Sequence, residues 1–354
     1  VPSAGCGKQP IATRGLPARF VFEMPGQPER HFWLYLPSVY DPTVPAQLVM
    51  SFHGLYGTGI EELIDGNLPV HIASHGLNTI AVFPRGSSDQ GFSHTWNTEG
   101  NGLDQEPGPA GPVCLPDREY WTVYPCFPSC SQCNAEKGCN FASCLDDRGF
   151  SAAVLAHLED ELCIDLRDIH LTGISSGGMM AYQAGLDLAE QVASVASVAG
   201  SRLVGYNYPP SYPVSLMDIH GHQDDYVPAN ISNGDYPKPG TGPNPKAVVS
   251  SDGFIYAPMT EILEAWATSG GCDYSGNLPY PVPGMDGVKD FWCSRPMGNC
   301  MADGDIVQCT GNWGHTYPLH RVNKDAFPRL VLEFFAGHRK VSPGAAELVA
   351  RARA

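Results

Sequence analysis

"LTGISSGGMM", Leu171 to Met180, is the stretch on which the fold reading turns. A strand-like lead-in runs into Gly173-Ile174-Ser175-Ser176-Gly177, and further small residues then open a helical pattern. A serine between a buried strand and a helix, with glycine two residues to either side, is the setting of the Gly-x-Ser-x-Gly elbow. There the serine backbone is strained, side chains at the glycine positions would collide as the chain reverses, and the hydroxyl is lifted out of the sheet. The N-terminus of the next helix, with its free N–H groups and dipole, favours negative charge developing beside that hydroxyl. The bare pattern recurs by chance, and a tight turn that needs small residues explains it equally well, so its surroundings must decide.

Working outward, strand and helix signals alternate. "RFVFEM" and "RHFWLYLP" read as an opening antiparallel pair, and "AQLVMSFHG" and "NTIAVFP" as buried strands. "IHLTG", "VASVASVAG" and "PVSLMDIHG" are later strands. Phe150, Val154, Leu155, Leu158 and Leu162 recur at helical spacing within Gly149 to Cys163, and Met179 to Ala189 and Ala326 to Ala336 are further helices. The order predicts a mostly parallel central sheet flanked by helices, in a single α/β domain over 1–354. Two segments break the rhythm. Residues 86–145 form a Cys-rich, lid-like insertion, and residues 203–258 a second loop-rich one; long loops of this kind in a compact domain serve as lids or binding walls.

Composition narrows the choices. The chain has 354 residues, with 21 Lys plus Arg against 37 Asp plus Glu and a formal charge of −16, which favours neither nucleic acid nor an anionic membrane as partner. No run approaches the roughly 20 apolar residues of a membrane-spanning helix, and no signal-like segment opens the chain; the expectation is a secreted, mature, soluble chain whose signal peptide is absent. Twelve cysteines point to oxidised disulfides. Cys126, Cys130, Cys133, Cys139 and Cys144 crowd together, and Cys130-x-x-Cys133 also fits a zinc knuckle. No histidine sits among the five, however, and the other seven cysteines are dispersed like disulfide partners, so no metal is expected. Asn230-Ile231-Ser232 is the one N-glycosylation sequon.

A serine hydroxyl is a weak nucleophile until a base takes its proton, so a histidine and a carboxylate must follow in order. "MDIHGHQDDYVP" places Asp224 and Asp225 just beyond a strand end, and "QCTGNWGHTYP" places His315 in a Gly-rich turn after another short strand. The order Ser, Asp, His is the one that the elbow demands on this kind of sheet. His53 and His220, each just before a glycine at a strand end, read as packed or hydrogen-bonded supports. Trp96 and Trp313 are candidates for an aromatic wall, with Trp96 taken as a substrate-binding residue and core packing as the alternative.

These residues carry a resemblance. "SAGCGK", "HGLYGTG", "CLDDRGF", "CIDLRDIHLTGISSGGMMAY", "HGHQDDYVP" and "WGHTYP", in this order from about Gly5 to near Phe335, resemble a secreted esterase family. That family includes feruloyl esterases, acetyl xylan esterases and polyhydroxybutyrate depolymerases, with oxidised poly(vinyl alcohol) hydrolases among its relatives. The resemblance implies an α/β-hydrolase fold, Ser175 as nucleophile and His315 as general base. It also implies Asp224 as the acid, with Asp225 as the alternative, and backbone N–H groups of Leu55 and Ser176 as the oxyanion hole.

It further implies a serine carboxylesterase that needs no cofactor and acts on feruloyl or acetyl esters of plant cell-wall polysaccharide. A polyester depolymerase is the alternative. A non-catalytic binding module would be expected to lose at least one of the three residues, and all three are present. The Cys-rich insertion is the part of the chain where the resemblance carries over least.

Overall fold

A computed structural model describes residues 1–89, 94–101, 108–115, 127–130, 141–228, 247–273, 278–282, 291–296, 298–301, 303–319 and 323–341. β1 (Pro17–Phe22) and β2 (Arg30–Tyr35) form the expected antiparallel pair, with Phe20 opposite Phe32. There follow β3 (Ala46–Phe52), α1 (Gly59–Asp65), α2 (Leu68–His75) and β4 (Thr79–Pro84), then α3 (Asp147–Glu161), β5 (Ile164–Ile174), α4 (Ser176–Asp187), β6 (Ser194–Val198) and β7 (Ser215–Gly221). A short antiparallel pair, β8 (Val248–Val249) and β9 (Ile255–Tyr256), precedes α5 (Met259–Gly270), and β10 (Leu278–Pro279), β11 (Phe291–Arg295), β12 (Ile306–Gly311) and α6 (Ala326–Ala336) complete the described elements.

Ten strands form one sheet in the order β1-β2-β4-β3-β5-β6-β7-β12-β11-β10. The inner six run parallel, and the outer pair at each end is antiparallel. This is the arrangement of the α/β-hydrolase fold. The inner strands are buried along most of their length because both faces are covered. Leu48, Met50, Ile80, Val82 and Leu171 share one core with α3, α4 and α5, while Val49, Ala81, Phe83, Ala196 and Val307 share the other with α2 and α6. The order places the sequence reversal at β3, which lies between β4 and β5. A crevice therefore opens beyond the carboxyl ends of β3 and β5, the usual ligand position in such sheets.

Several elements exceed what the sequence pattern predicts. α1 and α2 are too short to show a clear period, although Thr58 caps α1 by accepting from the Glu61 N–H and donating to its carboxylate, a capping-box signal that the sequence does carry. α5 follows the Pro-rich 203–258 stretch, and beside the expected strand β7 that stretch contains the β8/β9 pair. Within it, residues 229–246 lie outside the described residues, and with them the Asn230 sequon. In the 86–145 stretch, 90–93, 102–107, 116–126 and 131–140 lie outside them, including Cys126, Cys133 and Cys139.

Disulfides join Cys6 to Cys163, Cys130 to Cys144, Cys272 to Cys300 and Cys293 to Cys309, Cys114 is also bonded, and no described cysteine is free. The Cys130 bridge removes one sulfur from the zinc alternative. Among the described residues no three His, Cys, Asp or Glu side chains group as a metal site.

The Cys6–Cys163 bridge spans 157 residues and fastens the N-terminal segment to the α3–β5 junction, where the Ser3 hydroxyl also donates to the Leu162 carbonyl at 2.5 Å. Closing so long a loop removes much entropy from the unfolded chain. Replacing both cysteines by serine is expected to lower the unfolding free energy by about 2–5 kcal/mol, seen as a lower urea midpoint; an unchanged midpoint would show that the bridge adds nothing.

Candidate active site

Ser175 stands at the crevice, at the end of β5 and ahead of α4, with φ 59° and ψ −125°. A non-glycine residue in that region carries strain of about 1–3 kcal/mol and persists only where its surroundings enforce it. They do so here by close packing. A Cβ on Gly173 would lie 2.6 Å from the carbonyl oxygens of Phe52 and Gly177, and one on Gly177 only 2.0 Å from that of Phe52. The glycines thus let the elbow press against the end of β3. The Ser175 N–H donates to the Val198 carbonyl at 2.8 Å and its carbonyl accepts from Met179 at 2.9 Å, which fixes the turn to β6 and to α4.

His315 and Asp224 arrive on the loops after β12 and β7, adjacent parallel strands. A Cβ on Gly221 would stand 2.0 Å from the Trp313 carbonyl, so only glycine lets the two loops approach this closely. The Gln223 N–H donates to that carbonyl at 3.0 Å, and the His222 N–H to the Gly311 carbonyl at 2.8 Å. The result is a continuous line: the Ser175 hydroxyl lies 2.7 Å from His315 Nε2, and His315 Nδ1 lies 2.8 Å from Asp224 Oδ2. Asp224 is buried, and its Oδ1 accepts from the N–H groups of Tyr226 (3.1 Å) and Val227 (2.9 Å). Asp225, the alternative acid, is tied elsewhere through its backbone, where its carbonyl accepts from the Ser251 N–H at 2.8 Å.

His53 and His220 act as supports. His53 is buried, its Nδ1–H donates to the Gly54 carbonyl at 2.7 Å, and its Nε2 accepts from the Gly86 N–H at 2.9 Å. Burial pushes its pKa down to about 3, with His94, Arg85 and Arg30 adding to the effect, so the ring is neutral and its tautomer is set. It braces the Gly54-Leu55 turn, and Leu55 and Ser176 both line the cavity over Ser175. His220 is the opposite case. Its Nδ1 faces Asp218 at 3.0 Å and its Nε2 the Val227 carbonyl at 2.9 Å, so acceptors stand at both nitrogens. Burial disfavours the charged ring, but Asp218, Asp224 and the Val227 carbonyl outweigh it and raise the pKa. His220 thus holds the Val227 carbonyl, and the Val227 N–H in turn holds Asp224.

The cavity measures about 270 Å³. Its apolar wall comes from Leu55, Phe141, Met179, Val227 and Tyr256, and the half-exposed Tyr56 and Tyr226 complete the lining with Asp252. Trp96 corrects the expectation of an aromatic wall: it is fully buried, packs edge-on against Phe52, and donates its indole N–H to the His53 carbonyl at 2.8 Å. A tryptophan whose N–H finds a backbone acceptor loses little by burial. Trp313 stacks on Phe291 and stands outside the cavity lining. The wall residues come from separate parts of the chain, with Met179 on α4, Tyr256 on β9 and the others on loops. Leu55 was singled out from sequence, and Tyr56, Tyr226 and Val227 stand beside residues singled out there, in "HGLYGTG" and "DDYVP", which was the available signal for them.

No protein-family model matches the chain. It is similar to feruloyl esterase C of Emericella nidulans, 24% identical over 229 residues, which are 64% of this chain and 63% of the relative. It is also similar to the probable feruloyl esterase C of Aspergillus terreus, 23% identical over 339 residues, 95% of this chain and 91% of the relative. The chain thus spans less than two thirds of the first relative's length and nearly all of the second's. Among solved structures, native pOPH has a TM-score of 0.53 at 19% identity, over 95% of this chain and 90% of that one, a likeness of fold. Together these likenesses support an esterase family of the α/β-hydrolase type.

One buried acid, unmarked in the sequence, anchors the loop of His315. Glu62 Oε1 accepts from the Ser51 hydroxyl at 2.5 Å and from the Tyr317 hydroxyl at 2.7 Å. Burial raises its pKa to about 7, although both hydrogen bonds oppose this. Because the folded value exceeds the unfolded one, the group's contribution to stability is complete below pH 4.5 and is lost as pH rises through 7. Compared with Glu62→Gln, the wild type is expected to lose on the order of 3 kcal/mol of unfolding free energy between those limits. Urea titrations of both chains across that range check this, and parallel curves would contradict it.

Proposed function

We propose that the chain is a secreted serine carboxylesterase, with residues 1–354 as one catalytic domain. The observation that carries this reading is the line from the strained Ser175 through His315 to Asp224, at 2.7 and 2.8 Å. A hydroxyl, an imidazole and a buried carboxylate in this relation form a nucleophile, its base and the group that orients the base.

As Ser175 Oγ adds to an ester carbonyl, its proton passes to His315 Nε2. Asp224 keeps Nδ1 protonated and stabilises the imidazolium. The N–H groups of Ser176, at the N-terminus of α4, and of Leu55, beyond β3, are the donors offered to the carbonyl oxygen as it becomes an oxyanion. His315 then returns the proton to the departing alcohol. Water repeats the cycle on the acyl-enzyme and frees Ser175. The step requires no metal or organic cofactor.

The substrates are feruloyl or acetyl esters on plant cell-wall polysaccharide. Support comes from the relatives called feruloyl esterase C and from an apolar cavity of about 270 Å³ beside Ser175. Bridged cysteines at every described position fit a secreted protein.

The test is hydrolysis of a short p-nitrophenyl ester, methyl ferulate and a polyhydroxybutyrate emulsion. Ser175→Ala is expected to lower kcat by roughly 10⁴-fold or more, and Asp224→Asn by on the order of 10³–10⁴-fold. Full activity in Ser175→Ala would overturn the assignment, and a preference for the polymer emulsion would move the substrate to polyesters.

A further inference from the structure

We infer that Tyr226 forms a subsite for the alcohol half of the substrate, and that this half is a sugar ring stacked on its phenol. The inference rests on the esterase reading above.

Direction comes from the proton path. The alcohol is protonated by His315 Nε2 as it leaves, so it must lie beside His315 at that moment. The Tyr226 ring stands 5.6 Å from the His315 ring, centroid to centroid, and tilts 51° to it. An aromatic ring of the cavity lining thus meets the base. Phe141, Met179 and Tyr256 are buried in the apolar part of the cavity, which suits the acyl group, whereas Tyr226 is 55% exposed.

Exposure then speaks to chemistry. A large ring left half in water beside a cavity is informative in a way that an isolated surface side chain is not. An apolar alcohol or polyester segment would require a closed channel to leave water. A sugar ring needs one flat C–H face covered and keeps its hydroxyls hydrated, and a half-exposed phenol offers this. The same two loops carry an exposed amide pair, in which Gln223 Nε2 donates to Asn312 Oδ1 at 2.6 Å.

Position is secured by the site itself. The Tyr226 N–H donates to Asp224 Oδ1, and the next residue, Val227, is held by His220 and Asp224. The backbone that orients the proposed acid therefore also aims the phenol, so acid and sugar platform keep a fixed relation.

The experiment compares kcat/KM for a feruloylated arabinoxylan oligosaccharide with kcat/KM for methyl ferulate, which shares the acyl group and lacks the sugar. In Tyr226→Ala the ratio of the two is expected to fall roughly three- to tenfold, mainly through KM for the oligosaccharide, and Tyr226→Trp should restore it. An unchanged ratio overturns the subsite. So does an equal loss of kcat on both esters, which would mean that the ring serves only to pack His315. A wild type that cleaves neither ester, nor a short p-nitrophenyl ester, overturns the esterase reading itself, an outcome distinct from loss of the ratio alone.

Discussion

The structure depends on one close approach, that of the Ser175 elbow to the end of β3. With Gly173 and Gly177 pressed against the Phe52 carbonyl, β3 and β5 can lie side by side to Phe52 and Gly173 while the chain reverses from β5 into α4. Any side chain at Gly177 would force the turn away from the sheet. Ser175 would then lose both its strained conformation and its place at the head of α4. The strain at Ser175, about 1–3 kcal/mol, is small beside the burial of the strands that enforce it.

The rest of the site is held by loops tied to each other rather than by the sheet alone. The loop after β7 and the loop after β12 touch through Gly221 and Trp313, which sets the distance from Asp224 to His315. Buried polar groups then pin each loop from behind: neutral His53 under the Leu55 turn, His220 under Val227, and Glu62 under Tyr317. Each has its hydrogen bonds met, as a buried polar group must.

How much of this was legible in the sequence varies with distance along the chain. The inner strands, α3, α4 and α6 were legible because each is a local pattern of apolar residues buried on one or both faces. The order of Ser175, Asp224 and His315 was legible because each stands in a turn with its own glycine. Short helices such as α1 carry too few residues to show a period. The cavity wall was not legible, since Leu55, Phe141, Met179 and Tyr256 meet only after the whole sheet has formed. Trp96 misled for a related reason: "HTWN" in a Gly-rich stretch resembles an exposed loop, yet the His53 carbonyl draws its indole into the core. Glu62 carries no local signal of its burial, since Ser51 and Tyr317, which close on it, lie on other elements.

The most direct measurement is to trap the covalent intermediate. The wild-type chain, mixed rapidly with a p-nitrophenyl ester and quenched in acid, is digested and its peptides are weighed. If Ser175 is the nucleophile, a stoichiometric burst of p-nitrophenol accompanies a mass gain of one acyl group on the peptide "LTGISSGGMM", located at Ser175. Release of p-nitrophenol with no acylated peptide, or with the acyl group on any other residue, would contradict it.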